Sequence, residues 1–230
     1  MTILLFGATG MIGYGALRAA LGDTRVTRVL SVVRRPSGYE HAKLTEIIHA
    51  DMMDLGSLAD ELAQADACLF CLGISSAGQS EDAYRRITYD LTLSVAQALV
   101  ARNPAMTFVY VSGAGTDAAS RAMWARVKGE TEQALAALPF KAVYNARPGF
   151  IQPVGGATSR TTLYRAIYAV MTPLMPLLRR LAPRSILDTD ELGHALVDAG
   201  LAGADASVLE VPALQQLAKR AAPHADGANH

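Results

Sequence analysis

The sequence predicts a doubly wound α/β fold, a parallel sheet in a single domain with helices on both faces. Three observations predict it. Short apolar runs recur along the chain and alternate with stretches of helical period, the pattern of repeated strand–helix–strand units. Glycine or proline stands near most of the junctions, at Gly22, Pro36, Gly73, Pro104 and Gly113. The first apolar run passes through Gly7-Ala8-Thr9-Gly10-Met11-Ile12-Gly13 directly into a helical pattern, so strand, tight turn and helix follow without a break.

Composition sets the outer bounds. At 230 residues, 51% hydrophobic and 18% charged, the chain is long enough for one sizeable core. Lys plus Arg and Asp plus Glu are equal at 21 each, so no global attraction to polyanions follows and no nucleic-acid partner is expected. The first strand begins at Thr2 and glycines interrupt any apolar leader, which predicts no secretory signal and a cytoplasmic address. Cys68 and Cys71, the only two cysteines, lie in one apolar run. Residues three apart on a strand point to opposite faces, and no second Cys or His cluster accompanies them, so they read as two buried thiols and no metal site is expected.

Taken in order, residues 2–6 form the first strand and the three glycines make a phosphate cradle. Gly7 permits the tight turn, Gly10 lets backbone approach a pyrophosphate, and Gly13 lets the helix pack on its strand. The spacing is G-x-x-G-x-x-G, one residue longer in its first gap than the dinucleotide fingerprint; its strand–turn–helix setting is what gives it meaning. Residues 11–21 form the first helix and 26–33 the second strand, which ends in Arg34-Arg35-Pro36. An acid at this place accepts from the ribose 2′-hydroxyl of NAD, whereas arginine accommodates the 2′-phosphate of NADP. Two guanidiniums and no acid stand here, which predicts NADP(H) in preference to NAD(H).

A third strand at 44–49 leads to Asp51, placed either to accept from an adenine amino group or to cap its own loop. Asp54 is expected to cap a helix over 55–64. The fourth strand, 67–72, closes on Gly73, which leaves room for a ribose against backbone. A loop at 75–82 precedes one long amphipathic helix at 83–102, with Ile87, Leu91, Val95, Ala98 and Leu99 as its buried stripe. The fifth strand, 106–111, delivers Ser112-Gly113-Ala114-Gly115, and a helix over 120–138 carries Trp124 and Lys128 one turn apart on one face. The sixth strand, 141–146, ends in Arg147-Pro148-Gly149.

Beyond it, residues 150–220 are expected to supply a lid or substrate region and 221–230 a flexible tail. The apolar, proline-containing stretch 161–181 reads as a substrate lid, an oligomer contact or a membrane-surface segment. Its longest uncharged run, 166–178, is too short to span a bilayer, and membrane contact is not expected. Thr189 is expected to cap a helix with Leu192, Ala195, Leu196 and Ala199 buried, and 207–211 to add a seventh strand. Monomer and homodimer remain equally compatible with the sequence.

With these residues in place, the chain resembles the short-chain dehydrogenase/reductase superfamily. The likeness is to its extended and atypical branch of NAD(P)-binding, nucleotide-sugar-epimerase-like proteins, which includes oxidoreductases of the Tat-interacting-protein type. It covers residues 2 to about 217. Its pieces are Gly7 to Gly13, Arg34-Arg35-Pro36, Cys71-Leu72-Gly73, Val111-Ser112-Gly113, Val127-Lys128-Gly129-Glu130 and Arg147-Pro148-Gly149. The resemblance implies a Rossmann sheet whose cofactor contacts are Gly7, Thr9, Gly10, Met11, Ile12, Gly13, Arg34, Arg35, Asp51, Met52, Gly73, Ser112, Lys128, Arg147, Pro148 and Gly149. It further implies that the backbone from Arg147 to Phe150 lies near the nicotinamide.

It also implies a reaction carried by Ser, Tyr and Lys: the tyrosine relays a proton, the serine binds the reacting oxygen, and the lysine holds the ribose and lowers the tyrosine pKa. Ser112 and Lys128 match as catalytic residues. The tyrosine position is Trp124, whose indole N–H donates a hydrogen bond but has no usable pKa. Two functions are therefore expected. One is an NADP(H)-binding reductase-like or epimerase-like enzyme acting on a small, mostly apolar carbonyl or alcohol substrate. The other is a non-catalytic NADP(H) sensor or partner-binding protein.

Overall fold

The computed structural model describes residues 1–56, 58–156 and 186–225. Its main sheet is wholly parallel. The first six strands are β1 (Thr2–Phe6), β2 (Arg28–Val33), β3 (Leu44–Ile48), β4 (Ala67–Phe70), β5 (Thr107–Val111) and β6 (Ala142–Arg147). β7 (Phe150–Gln152) and β8 (Ile186–Asp188) make a separate parallel pair, and β9 (Val208–Glu210) returns to the main sheet beside β6. The strand order is β3-β2-β1-β4-β5-β6-β9, which reverses direction between β1 and β4 and opens a crevice at their carboxyl ends.

Strand alternation divides the core into two layers. Ile3, Leu5, Leu69 and Val109 face one side, where they meet α1 (Met11–Gly22), α6 (Thr189–Ala202) and α7 (Val211–Ala221). Leu4, Phe6, Phe70, Phe108 and Tyr110 face the other, against α2 (Leu58–Leu62), α4 (Leu91–Val100) and α5 (Met123–Ala136). Cys68 lies in the second layer and Cys71 packs against the first, as residues three apart on a strand should; both thiols are free. The doubly wound architecture read from the alternation is the one observed, and residues 207–211 do supply the additional strand, β9.

Three local expectations are corrected. The helix over 83–102 is instead α3 (Glu81–Arg85), a π-helical turn at Arg86–Asp90, and α4; the Leu91 N–H reaches back five residues to the Arg86 carbonyl. Hydroxyls explain the break, because the Thr88 carbonyl accepts from Thr92 Oγ1 at 2.8 Å and from Thr131 Oγ1 at 3.4 Å, which draws it from the regular ladder. Asp54 caps no helix: its Oδ1 accepts from Gly56 N–H, Gly56 takes φ +50, and α2 begins only at Leu58. The cap of α6 is Asp188, not Thr189. Asp188 Oδ1 accepts from Glu191 N–H at 2.8 Å and Glu191 Oε2 accepts from Asp188 N–H at 2.9 Å, a capping box that frees Thr189 to bind Val154.

Of the stretch 150–220, residues 186–220 build β8, β9 and the helices that cover the sheet, while the expectation for 161–181 lies outside the described residues. α6 sits unusually close to α1. A Cβ on Gly15 would lie 2.2 Å from the Thr189 carbonyl oxygen, and one on Gly193 would lie 2.4 Å from that of Gly15. The amino edge of the sheet is tied by a buried ion network. Arg25 spans Asp23 at 2.7 Å and Asp198 at 2.8 Å, and Arg220 Nε donates to the second Asp198 oxygen at 2.5 Å. Asp198 is fully buried, and removing its charge takes one partner from each of two guanidiniums, leaving Arg25 on Asp23 and Arg220 on the Gly203 carbonyl. Asp198→Ala is expected to cost about 1–3 kcal/mol, read as a lower urea midpoint with an unchanged slope. Burial raises the Asp23 carboxyl, but the hydrogen bonds and charge of Arg25 outweigh it and hold it below its ordinary value. Its stabilising contribution is therefore full at neutral pH and is lost as pH falls through the folded-state value.

Candidate cofactor site

The crevice at the switch point holds a cleft of about 350 Å³, lined on one side by Gly7 to Gly10 and on the other by Arg34, Asp51 and Met52, with Cys71 to Ile74 as its floor. The sequence makes the turn by steric necessity. Gly7 has φ +87, a left-handed conformation, and a Cβ there would stand 2.8 Å from the Cys71 and Leu72 backbone. A Cβ on Gly13 would stand 2.0 Å from the Gly7 carbonyl oxygen, so only glycine lets α1 begin this close to β1. Gly10 donates its N–H to Gly7 O at 2.9 Å and serves as the N-cap of α1. No side chain caps that end and no acid occupies the first turn, so the positive end of the helix faces the cleft uncompensated.

At the far side, Arg34 and Arg35 are exposed and neither has an ion-pair partner among the described residues; Arg34 borders the cleft directly. Asp51 also borders it, and its Oδ1 accepts from Met53 N–H at 2.9 Å, the loop-capping alternative of the two expected for it. Gly73 has nothing within 4 Å of where a Cβ would be, which leaves open space in the cleft. Burial pushes the Cys71 thiol up to about 12, so it lines the cleft as an uncharged group. Sequence reasoning missed Met53, Ile74, Ile87 and Leu91. Ile87 and Leu91, read as core stripe, line the cleft from the π turn and the start of α4, and Met53 and Ile74 are exposed at 40% and 41%. An apolar residue in a loop at a strand's carboxyl end is the signal that would have found the latter two.

The structure brings Gly7, Thr9, Gly10, Arg34, Asp51, Met52 and Gly73 into this one cleft. Met11, Ile12 and Gly13 stand just behind it in α1. Ser112, Lys128, Arg147, Pro148 and Gly149 are not among its lining residues and group around the ends of β5 and β6. Lys128 extends from α5 under the end of β5, and Nζ donates to Val111 O at 3.1 Å and Ser112 O at 3.2 Å, with the Tyr110 ring centroid 5.3 Å away. Burial lowers it to about 8, against an opposing pull from Glu132. Ser112 Oγ shares a 3.0 Å hydrogen bond with Thr116 Oγ1. Trp124 lies over the loop that follows, its ring 3.9 and 3.6 Å from where Cβ atoms would stand on Gly113 and Gly115.

The Arg147 side chain is engaged elsewhere. Its Nε and Nη2 fork onto Glu132 at 3.0 and 2.5 Å and its Nη1 reaches Glu210 at 3.3 Å, so the side chain joins α5 to β9, while Pro148 O accepts from Ala114 N–H. Among the described residues no group of three His, Cys, Asp or Glu side chains is placed to hold a metal, and no helix is long and apolar enough to cross a membrane.

The profile of the NAD(P)H-binding family matches residues 7–144, which run from the first glycine of the turn to the middle of β6. This chain belongs to the NAD(P)H-binding family. It is 32% identical over 157 residues to the mitochondrial protein fmp52 of Emericella nidulans, covering 65% of this chain and 66% of that one. To FMP52 of Saccharomyces cerevisiae it is 31% identical over 151 residues, covering 65% of each. The match thus spans slightly less than two thirds of these relatives' length. In fold it is similar to a short-chain dehydrogenase/reductase family oxidoreductase from Burkholderia thailandensis, with a TM-score of 0.68 at 18% identity over 93% of this chain and 92% of that one. That likeness is one of fold: the chain shares its doubly wound sheet with a short-chain dehydrogenase/reductase family protein. The expected cytoplasmic address does not stand, because the relatives matched in sequence are named as mitochondrial proteins; the absence of a secretory pattern does not bear on that compartment.

Lys128 gives this site a pH signature. Because its folded value lies below the unfolded one, the folded state binds fewer protons between about pH 8 and the ordinary lysine value, and stability rises with pH through that window. Lys128→Met is expected to flatten that rise, measured as the slope of unfolding free energy against pH.

Proposed function

We propose that this chain is an NADP(H)-binding reductase-like or epimerase-like protein, with a small, mostly apolar carbonyl or alcohol as its substrate class. The observation that carries the preference for NADP(H) is the pair of exposed, unneutralised guanidiniums at the end of β2, where an acid would select the unphosphorylated ribose. The cleft fits the adenosine diphosphate portion in three respects. It has room beside Gly10 and Gly73, an uncapped helix end for the pyrophosphate, and apolar walls from Met52, Met53, Ile74, Ile87 and Leu91 for the adenine. In this reading Ser112, Lys128 and the backbone from Arg147 to Gly149 would hold the nicotinamide end of the same ligand.

In that arrangement a bound nicotinamide supplies hydride chemistry. The chain's own residues bind and orient. Lys128, withdrawn onto the Val111 and Ser112 carbonyls, is placed to turn one N–H toward a ribose hydroxyl, and Ser112 to exchange Thr116 for a substrate oxygen. Trp124 bounds the space over Gly113 and Gly115 and relays no proton. A proton for the substrate oxygen then comes from a water held by Ser112 or from Tyr164 or Tyr168, which lie outside the described residues. The second reading, a non-catalytic NADP(H) sensor, is favoured by that same indole, which occupies the proton-relay position with a group that cannot titrate. Retention of cofactor binding with no oxidation of NADPH against a panel of aldehydes, ketones and quinones selects it.

Arg34→Ala is expected to weaken NADPH binding about tenfold or more and to leave NADH within about twofold, as loss of a charge-assisted contact to the 2′-phosphate requires. Equal effects on the two cofactors contradict the assignment.

A further inference from the structure

The residues after Arg35 leave β2 as a tight loop, and several contacts fix its far end. Ser37 N–H donates to Glu46 Oε2 on the neighbouring strand β3 at 3.1 Å, and Tyr39 N–H donates to Ser37 Oγ at 3.1 Å. Gly38 between them takes φ +82, which a side chain would oppose. The Tyr39 ring then lies on Tyr14 of α1, with centroids 5.3 Å apart and planes at 32°. The Tyr14 phenol beside that of Tyr39, together with desolvation, pushes Tyr39 up to about 12. Tyr14 is itself backed by Arg18, whose guanidinium is 6.0 Å from the ring centroid and is held by Gly155 O at 3.1 Å and Asp190 at 3.3 Å.

Two features separate this arrangement from core packing. Tyr39 stays 44% exposed, so it hides little apolar surface and contributes little to the fold. The loop it ends also begins with Arg34 and Arg35, while the carboxylate on the adjoining strand, Glu46, is engaged by a main-chain N–H in place of either guanidinium.

We propose that Tyr39, seated on Tyr14, is a specificity-determining positioning residue that holds the loop from Arg34 to Tyr39 in the form that receives a phosphate ester on the adenosine ribose. The inference rests on the NADP(H) reading above and adds to it the element that shapes the phosphate subsite. Two long guanidinium side chains on a free loop lose much conformational entropy when they close on a phosphate, and a loop fixed in advance has met that loss before the ligand arrives. Tyr14 follows Gly13 directly in α1, so the tyrosine pair also sets the loop's distance from the helix end that faces the pyrophosphate.

Titration calorimetry with 2′,5′-ADP and with 5′-AMP reads the subsite without any nicotinamide chemistry. Tyr39→Ala is expected to weaken 2′,5′-ADP about fivefold and to leave 5′-AMP within about twofold. Tyr39→Phe and Tyr14→Phe should each weaken 2′,5′-ADP about twofold, and the double variant no more than either single one, because both remove the same interaction between the phenol groups. The phenylalanine variants keep the stacked rings, so they decide the matter if the alanine variant fails to fold. Equal losses for the two probes, or no loss for 2′,5′-ADP, overturn the inference. A wild-type protein that binds the two probes equally overturns the NADP(H) reading and this inference with it. A wild-type protein that prefers 2′,5′-ADP, with the full preference kept in the Tyr39 and Tyr14 variants, overturns the inference alone.

Discussion

Gly13 has no Cβ because the Gly7 carbonyl oxygen occupies the neighbourhood, 2.0 Å from where that atom would be. This close approach seats α1 on the end of β1, and Gly7 in turn lies against the backbone of Cys71 and Leu72 just after β4, so turn, helix and switch point are fixed together. Two residues further on, Gly15 meets the backbone of α6 in the same way, with Gly193 returning the contact. The helix whose positive end faces the cleft is thereby also the helix that anchors one complete layer of the core. A methyl group at position 13 would have to move α1, and with it the phosphate cradle and the seat of α6.

The two ends of the sheet use polar groups differently. At the amino edge, Asp23, Arg25, Asp198 and Arg220 form a buried network in which charges satisfy one another. At the carboxyl edge, charge is left available. Arg34 and Arg35 have no described partner, the α1 end has no cap, and Lys128 is buried on two main-chain carbonyls with its affinity for a proton reduced. Groups left without a counter-charge cost stability, and Arg34 and the uncapped α1 end stand at the cleft, where a polyanionic ligand would offset that cost.

Much of this was legible in the sequence because it follows from local rules. The glycine spacing, the short apolar runs and the arginines after β2 each depend on a few consecutive residues, and each lies where local reasoning puts it. What was not legible depended on partners distant in the chain. The π turn at Arg86–Asp90 is stabilised by the Thr131 hydroxyl from α5, and Arg147 is drawn onto Glu132 and Glu210, which no spacing rule connects to it. Thr189 looked like a cap because it opens an acidic turn, but Asp188 reaches Glu191 N–H and Thr189 is taken by Val154. Tyr14 and Tyr39 meet only because α1 and the loop after β2 converge.

The residues proposed for the cofactor line the cleft, while those the resemblance assigns to the reaction stand apart from it, with Trp124 over Gly113 and Gly115 and Lys128 on the Val111 and Ser112 carbonyls. That tryptophan is the only one in the chain, which turns it into a local reporter. The direct test of the central claim is titration of the wild-type protein with NADPH and with NADH, following energy transfer from Trp124 to the reduced nicotinamide. Saturable transfer at micromolar NADPH, with markedly weaker binding of NADH, is the predicted result. No saturable transfer below millimolar NADPH, or indistinguishable curves for the two cofactors, would contradict it.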